Sequence, residues 1–319
     1  MFRRRANAAA DPPPPPPIPY TETRKGYPTT LTPPQRDVLA SFRAELAKEG
    51  VLRPGNPWDS DDELCRWLRA RSFDLAKAMV MVRNHVKWQK EYNVDKVFSE
   101  FRLPDPDAVQ EAYPRIYWKT DRIGRPVNID MVGRVNIARV NKVATMDQME
   151  KDKVREMEHT LRVKYPACSK HAGRTINQSL VIMDLDGLSF STWNSQTRSM
   201  LQRLTGLLSD HYPETMGALF VVNAPGFFSV IWNVAKRFLD PGTQRKIHIL
   251  GSNFEKELFE YIDPSNLPEF LGGTDSTFDL SHDVGPWVSG SQQYGRNLTV
   301  QITRRERRGG GLSPFLWGG

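Results

Sequence analysis

From Thr32 to Tyr92 the apolar positions recur with a helical period. Pro33 and Pro34 suit a first helical turn, Val38, Leu39, Phe42 and Leu46 follow on one side, and Gly50 ends the run. Ser60 and Glu63 have capping-box spacing ahead of Leu64, Trp67 and Leu68. Asp74 is placed to cap a third helix, in which Leu75, Met79, Val82 and Val86 recur at i, i+4, i+7 and i+11. Three amphipathic helices need a surface to pack on, so the pattern predicts a small helical lobe.

After Tyr113 the period changes. Val127, Ile129 and Met131 alternate with polar residues, as in a half-buried strand. Residues 147–165 read as a helix with Met149, Val154, Met157 and Leu161 on one side. Leu180–Met183 is a short unbroken apolar run, the mark of a strand covered on both faces. A helix over Ser191–Tyr212, a strand over Ala218–Val222, a helix over Phe227–Leu239 and a strand over Lys246–Leu250 complete the series. Strands alternating with helices predict an α/β fold: a mostly parallel sheet with right-handed crossover helices, preceded by the all-helical lobe. The expected division is a disordered Pro-rich arm (1–32), the helical lobe (33–104), the α/β domain (105–280) and a largely disordered basic tail (281–319).

Composition adds little to the fold but locates the charge. The chain has 44 Lys and Arg against 37 Asp and Glu, a net of +7. Residues 1–30 carry +3 and residues 291–319 carry +4, so the body between them is neutral. A neutral body argues against nucleic acid, which selects a basic face; basic flanks favour anionic lipid surfaces. Ten of the 24 prolines fall in the first 34 residues, and Pro12–Pro17 is a polyproline II run: a spacer, or a ligand for SH3 or WW domains. The two cysteines, Cys65 and Cys168, make no disulfide framework and fit a reducing compartment. No signal-like h-region opens the chain, and no run approaches about 18 uninterrupted apolar residues. The expectation is a cytoplasmic monomer.

Enzyme chemistry lacks its motifs. There is no G-x-G-x-x-G after a strand, no P-loop and no G-x-S-x-G elbow. The histidines are scattered, and Cys168 with His171 stands without further metal ligands, so neither metal nor cofactor is expected. Asp184 and Asp186 end a buried strand and are expected to cap the turn that follows.

What remains is the run from Phe227 to Lys246. Phe227, Phe228, Ile231, Trp232 and Phe238 give its helix a wide apolar arc; Asp240-Pro241-Gly242 then breaks it and delivers Thr243, Arg245 and Lys246. An apolar lid ending in a cationic edge suits a phospholipid, and a core helix followed by a solvated basic turn fits the same residues.

The ordered segments LCRWLRARSFDLAKA (64–78), YPRIYWKTDRIGRPV (113–127), KYPACSKHAGR (164–174), VIMDLDGLS (181–189), DHYPETMGALFVVNAP (210–225), FLDPGTQRKIHILGS (238–252) and LPEFLGG (267–273) resemble the CRAL-TRIO lipid-transfer family, in particular its fungal phosphatidylinositol-transfer branch. The resemblance spans roughly residues 35–290. It implies a phosphatidylinositol carrier, not an enzyme, that exchanges phospholipid between membranes for phosphoinositide metabolism. Its bound ligand would be the lipid itself, with peripheral contact to Golgi, endoplasmic reticulum or endosome. The alternative it leaves is a lipid-sensing regulator or scaffold carrying a sterol or another apolar ligand.

Carried over by position, the headgroup residues would be Arg71, Glu214, Thr243 and Lys246, and the gate would be the Phe227–Leu239 helix. Where the family usually has a lysine after the first arginine, this chain has Ser72, with Arg69 and Arg245 as the cations to compensate. The positions that hold choline phosphate in related proteins are here Tyr117, Asn128, Ser179 and Val181. Asn128 offers no aromatic face to a quaternary ammonium and Val181 lacks a hydroxyl, which implies weak phosphatidylcholine binding and a less polar second lipid.

Overall fold

The computed structural model describes residues 25–52, 59–190, 194–239 and 241–288. Pro12–Pro17, the Ser191–Trp193 start of one expected helix and the arginines of the basic tail lie outside them.

The lobe forms from the predicted helices: α1 (Pro33–Lys48), α2 (Asp61–Arg69) and α3 (Leu75–Tyr92), followed by short α4 (Val94–Glu100) and α5 (Pro106–Ala112). Ser60 Oγ accepts from Glu63 N at 3.2 Å and Asp74 Oδ1 from Lys77 N at 3.0 Å, so both expected caps start their helices. Asn93 ends α3 in the left-handed region at φ 55°. Leu39, Phe42, Leu46, Leu64, Trp67, Leu68, Met79 and Val82 are buried together as the lobe's core.

The body is a five-stranded sheet in sequence order: β1 (Arg115–Thr120), β2 (Pro126–Asp130), β3 (Ser179–Asp184), β4 (Met216–Val222) and β5 (Ile247–Ile249). β1 pairs antiparallel with β2, and the remaining pairs are parallel. Strand β1 lacked a period-two signal because Ile116, Tyr117 and Trp118 are all buried. The β2–β3 connection holds α6 (Ile137–Val143), α7 (Met146–His159), a π turn at Thr160–Lys164 and α8 (Tyr165–Ala172). Helix α9 (Ser195–His211) joins β3 to β4. The expected gate helix is shorter than its apolar run. The run folds as α10 (Phe228–Ala235) and a 3-10 turn at Lys236–Phe238, and α11 (Pro241–Gln244) follows, leading into β5.

Alternation sorts the sheet's side chains into two sets. Ile116, Trp118, Val127, Ile129, Leu180, Ile182, Ala218, Phe220 and Val222 share one cluster with Phe254, with Leu258 from α12 (Glu255–Tyr261), and with Ile262, Leu267, Leu271 and Leu280. The chain turns back under this face at the LPEFLGG motif. Gly272 has φ +86°, and a Cβ on Gly273 would fall on the Leu267 carbonyl, so neither position tolerates a side chain. Residues 281–288, which the sequence places in the basic tail, lie along β1 instead: Val284 N donates to Tyr117 O at 3.0 Å and Asp283 Oδ1 accepts from Tyr117 N at 3.1 Å.

Lobe and body are joined by polar and aromatic contacts. The fully buried Arg66 of α2 donates to Pro213 O at 2.7 Å. Trp88 stacks on His211 at 3.8 Å and 8°, and the rings of His85 and His211 are 5.6 Å apart. Burial, together with the facing His211 and Arg66, holds the His85 imidazole well below its ordinary value of 6.5. Burial also lowers His211, against the opposing pull of Asp210 and Glu150. Both therefore stay neutral to lower pH in the native state than in the unfolded chain, which takes up protons first as pH falls below 6.5. The stability contributed at this junction is complete above that pH and is lost as pH falls through it. The melting temperature is expected to drop between about pH 7 and about pH 5, and His85→Phe to flatten that slope. Equal slopes in the two proteins would show that the junction does not titrate.

Candidate functional site

The second set of sheet side chains lies on the side crossed by the connecting helices. Tyr117 pairs with Asn128, Asn128 with Val181, Val181 with Leu219 and Leu219 with Ile247, one continuous row across all five strands. The row is polar at β1 and β2 and aliphatic at β3 to β5. Val181, Met183, Leu219 and Ile247 are only half-buried, whereas Leu180, Ile182 and Phe220 on the opposite face are fully buried.

The polar end is occupied by internal bonds. Tyr117 Oη accepts from Thr160 Oγ1 at 3.2 Å, and Lys164 Nζ sits 4.1 Å over the Tyr117 ring. Asn128 Nδ2 donates to Ile116 O at 3.3 Å, and Ser179 Oγ is 3.2 Å from Tyr165 Oη. Beyond them Arg115 bridges Asp152 and Glu156 of α7. Burial would raise Glu156, but Lys153 and Arg115 outweigh it and hold the carboxyl at about 2. Burial raises Asp130, whose Oδ1 has no hydrogen-bond partner among the described residues.

Over the aliphatic end, α10 turns Phe228 and Ile231 inward against Leu185 and Val221, with Trp232 and Phe227 partly buried beside them. Its other side is apolar too: Val230 is 60% exposed and Val234 45%. The neighbouring Phe190, 63% exposed, meets Phe227 edge-on at 5.7 Å. The inward and outward roles therefore fall on different residues: Phe228 and Ile231 hold α10 to the sheet, and Val230 and Val234 face away from it. Phe238 closes the 3-10 turn after α10.

The headgroup candidates gather where β4 and β5 begin. Glu214 lies in the turn between α9 and β4 at φ 59°, a strained backbone for a residue with a Cβ. Lys246 immediately precedes β5, and its Nζ is 3.0 Å from Glu214 Oε2. Thr243 is one turn away, its carbonyl accepting from Lys246 N at 3.0 Å. Arg71 is placed differently. Its Nη1 donates to Ala70 O at 2.9 Å, and its side chain lines a surface pocket of about 470 Å³ with Lys77, Val80, Asn84, Asp210 and His211. The guanidinium that reaches Glu214 is that of Arg69, Nε to Oε2 at 3.4 Å. Arg69 is one of the two cations named to compensate for Ser72. Gln178 Nε2, which donates to Glu214 O at 3.1 Å, and the Tyr27 ring, 3.9 Å from the Arg69 guanidinium carbon, carry no sequence signal, since their partners are distant along the chain.

Asp184 has the capping role expected of it: its Oδ1 accepts from Asp186 N at 3.0 Å and from Asn223 Nδ2 at 2.8 Å. Among the described residues no three His, Cys, Asp or Glu side chains are grouped to hold a metal ion, and no helix is long and apolar enough to cross a membrane.

A half-open aliphatic sheet face under a crossover helix that is apolar on both sides, with ionic groups at one end, defines a fold class that known proteins share. The model of the CRAL/TRIO domain matches residues 111–273, and the chain belongs to that family. It is similar to the SEC14 cytosolic factor of Kluyveromyces lactis, 38% identical over 267 residues, covering 82% of this chain and 87% of that protein. It is also similar to the Sec14 cytosolic factor of Schizosaccharomyces pombe, 38% identical over 265 residues, covering 82% of this chain and 91% of that protein. The phosphatidylinositol/phosphatidylcholine transfer protein SFH4 of Arabidopsis thaliana is 37% identical over 253 residues, covering 78% of this chain. The chain spans less than half the length of the Arabidopsis relatives it matches. Among solved structures, the crystal structure of Sfh5 has a TM-score of 0.58 at 17% identity, covers 77% of this chain and 89% of its own, and shares the fold.

The two sides of α10 predict separable effects. Phe228→Ala removes a buried ring and is expected to cost about 3 kcal/mol of stability, read from denaturant unfolding. Val230→Asp with Val234→Asp changes exposed positions and is expected to leave stability within about 0.5 kcal/mol while weakening binding to vesicles. A double variant that unfolds as readily as Phe228→Ala would assign α10 wholly to the core.

Proposed function

We propose that this protein is a carrier that binds phosphatidylinositol and exchanges it between membranes, supplying phosphoinositide metabolism, and that it is not an enzyme acting on the lipid. The observation that supports this most directly is the Glu214–Lys246 pair, 3.0 Å apart, at the end of a sheet face whose aliphatic side chains are only half-covered by protein. Burying one methylene is worth ~0.8 kcal/mol, so an acyl chain of about 16 carbons represents roughly 12 kcal/mol of transfer from water. A carrier must match that burial in solution and forgo it at a bilayer. Helix α10 suits both states, with Phe228 and Ile231 toward the sheet and Val230 and Val234 outward.

Lys246 and Thr243 would donate to the phosphate or inositol oxygens, and Glu214 would accept from inositol hydroxyls while orienting Lys246. Charge-assisted bonds of this kind are worth ~1.5–3 kcal/mol each. Arg71 enters this reading by its position in the LRAR motif, with Arg69 as the cation nearer to Glu214. Lys246→Ala is expected to abolish phosphatidylinositol transfer between liposomes while the melting curve stays that of the unmodified protein. Near-normal transfer by that variant would remove the headgroup assignment.

The row across the sheet favours a less polar second ligand than phosphatidylcholine, a sterol being one such cargo. Asn128 is turned onto a backbone carbonyl, Val181 offers no donor, and the Tyr117 and Ser179 hydroxyls are bonded to Thr160 and Tyr165. A buried phosphate oxygen lacking one partner loses ~1–3 kcal/mol. Phosphatidylcholine transfer is expected to be weak in the unmodified protein and to be gained by Asn128→Tyr with Val181→Thr. Equal transfer of both phospholipids by the unmodified chain would refute this. We place the protein in the cytoplasm as a monomer with transient contact to Golgi, endoplasmic reticulum or endosomal membranes, with Pro12–Pro17 as a spacer or a ligand for SH3- or WW-type partners.

A further inference from the structure

The first described residues of the chain reach the headgroup basin from outside the lobe. Arg69, at the end of α2, is 8% exposed. Its Nε faces Glu214 Oε2 at 3.4 Å, its Nη1 donates to Gly26 O at 3.3 Å, and its buried Nη2 has no acceptor among the described residues. The Tyr27 ring lies 3.9 Å from the guanidinium carbon. The Tyr27 hydroxyl donates to Gln178 Oε1 at 3.0 Å, and Gln178 Nε2 donates to Glu214 O at 3.1 Å. One side chain thus holds both groups that hold Glu214: Arg69 on its carboxylate and Gln178 on its backbone.

Among the described residues the charges in this basin do not balance. Arg69 and Lys246 share one oxygen of one carboxylate, leaving a net positive charge beside a buried N–H that has no acceptor among those residues. A phosphodiester supplies the missing negative charge and the missing acceptor together. Stacking on an aromatic face fixes the plane of a guanidinium, and so decides which way its free N–H points. Glu214, held at positive φ, needs both supports to stay where Lys246 can meet it.

We propose that Tyr27 is a positioning residue for the lipid headgroup: it clamps Arg69 and Gln178 so that Glu214 stays paired with Lys246 and the Arg69 guanidinium meets the lipid phosphate. The inference rests on the phosphatidylinositol reading above. It joins the segment that leads out of the Pro-rich arm directly to headgroup recognition.

The test uses the full chain and donor vesicles in which the mole fraction of phosphatidylinositol is varied. For Tyr27→Ala the half-saturating mole fraction is expected to rise at least about tenfold, while the transfer rate at saturation stays within about twofold. Tyr27→Phe keeps the ring over Arg69 and loses only the bond to Gln178, and is expected to recover most of the loss. Arg69→Gln is expected to match Tyr27→Ala. An unchanged half-saturation in Tyr27→Ala, or a fall in the saturating rate alone, would overturn the positioning role and leave the carrier reading standing. Failure of the unmodified protein to move phosphatidylinositol would instead overturn the carrier reading, before any variant is compared.

Discussion

Because side chains alternate along a strand, every strand of this sheet must satisfy two different surroundings, and the molecule is organised by how it does so. One face carries Val127, Ile129, Leu180, Ile182, Phe220 and Val222 into a cluster closed by α12 and the segment through Leu280. The other carries the row Tyr117, Asn128, Val181, Leu219, Ile247 toward the crossover helices. Parallel strands in sequence order require their connections on one side when the crossovers share a hand. The first face therefore has to be covered by chain that follows β5. Gly272 and Gly273 permit the tight return there, and Asp275 fixes it, accepting from Trp118 Nε1 at 2.9 Å and pairing with Lys119 at 2.7 Å.

The crossover side is where protein alone does not complete the packing. Half-buried Val181, Met183, Leu219 and Ile247 lie beside Phe228 and Ile231, and the helix that carries those two is apolar on its outer side as well. A helix apolar around most of its circumference gains little from water on either side. Such a helix can exchange one apolar neighbour for another at modest cost. The polar end of the same row is engaged in hydrogen bonds within the protein, so the uncovered apolar surface lies toward β3–β5.

The turns before β4 and β5 gather charge from several parts of the chain. Glu214 adopts positive φ between a helix and a strand, Lys246 follows the short α11 that Pro241 opens, and Arg69 arrives from the lobe. The backbone around Glu214 is tied down by Arg66 on Pro213 O and by Gln178 on Glu214 O. The joint between lobe and body and the Glu214–Lys246 pair are thus adjacent parts of one polar network.

Much of this was legible along the chain. The lobe's periodicity and its caps at Ser60 and Asp74, the buried strands at Leu180 and Ala218, the capping role of Asp184 and the apolar arc after Phe227 are local properties, set by neighbours within a few residues. The resemblance in ordered motifs added Arg71, Glu214, Thr243 and Lys246 as a group; the fold brings the last three to one end of the sheet and turns Arg71 to a surface pocket. Strand β1 escaped because three consecutive buried residues erase the alternation that marks a strand. The ordering of residues 281–288 escaped because it depends on Tyr117 and Lys164, more than a hundred residues away. The family resemblance, and no local pattern, named the residues at the headgroup positions. Only the tertiary structure decided that Arg69 rather than Arg71 turns toward Glu214, and that Tyr27 and Gln178 support it. Those choices depend on side-chain direction and on contacts between segments as far apart as Tyr27 and Gln178, which no local pattern encodes.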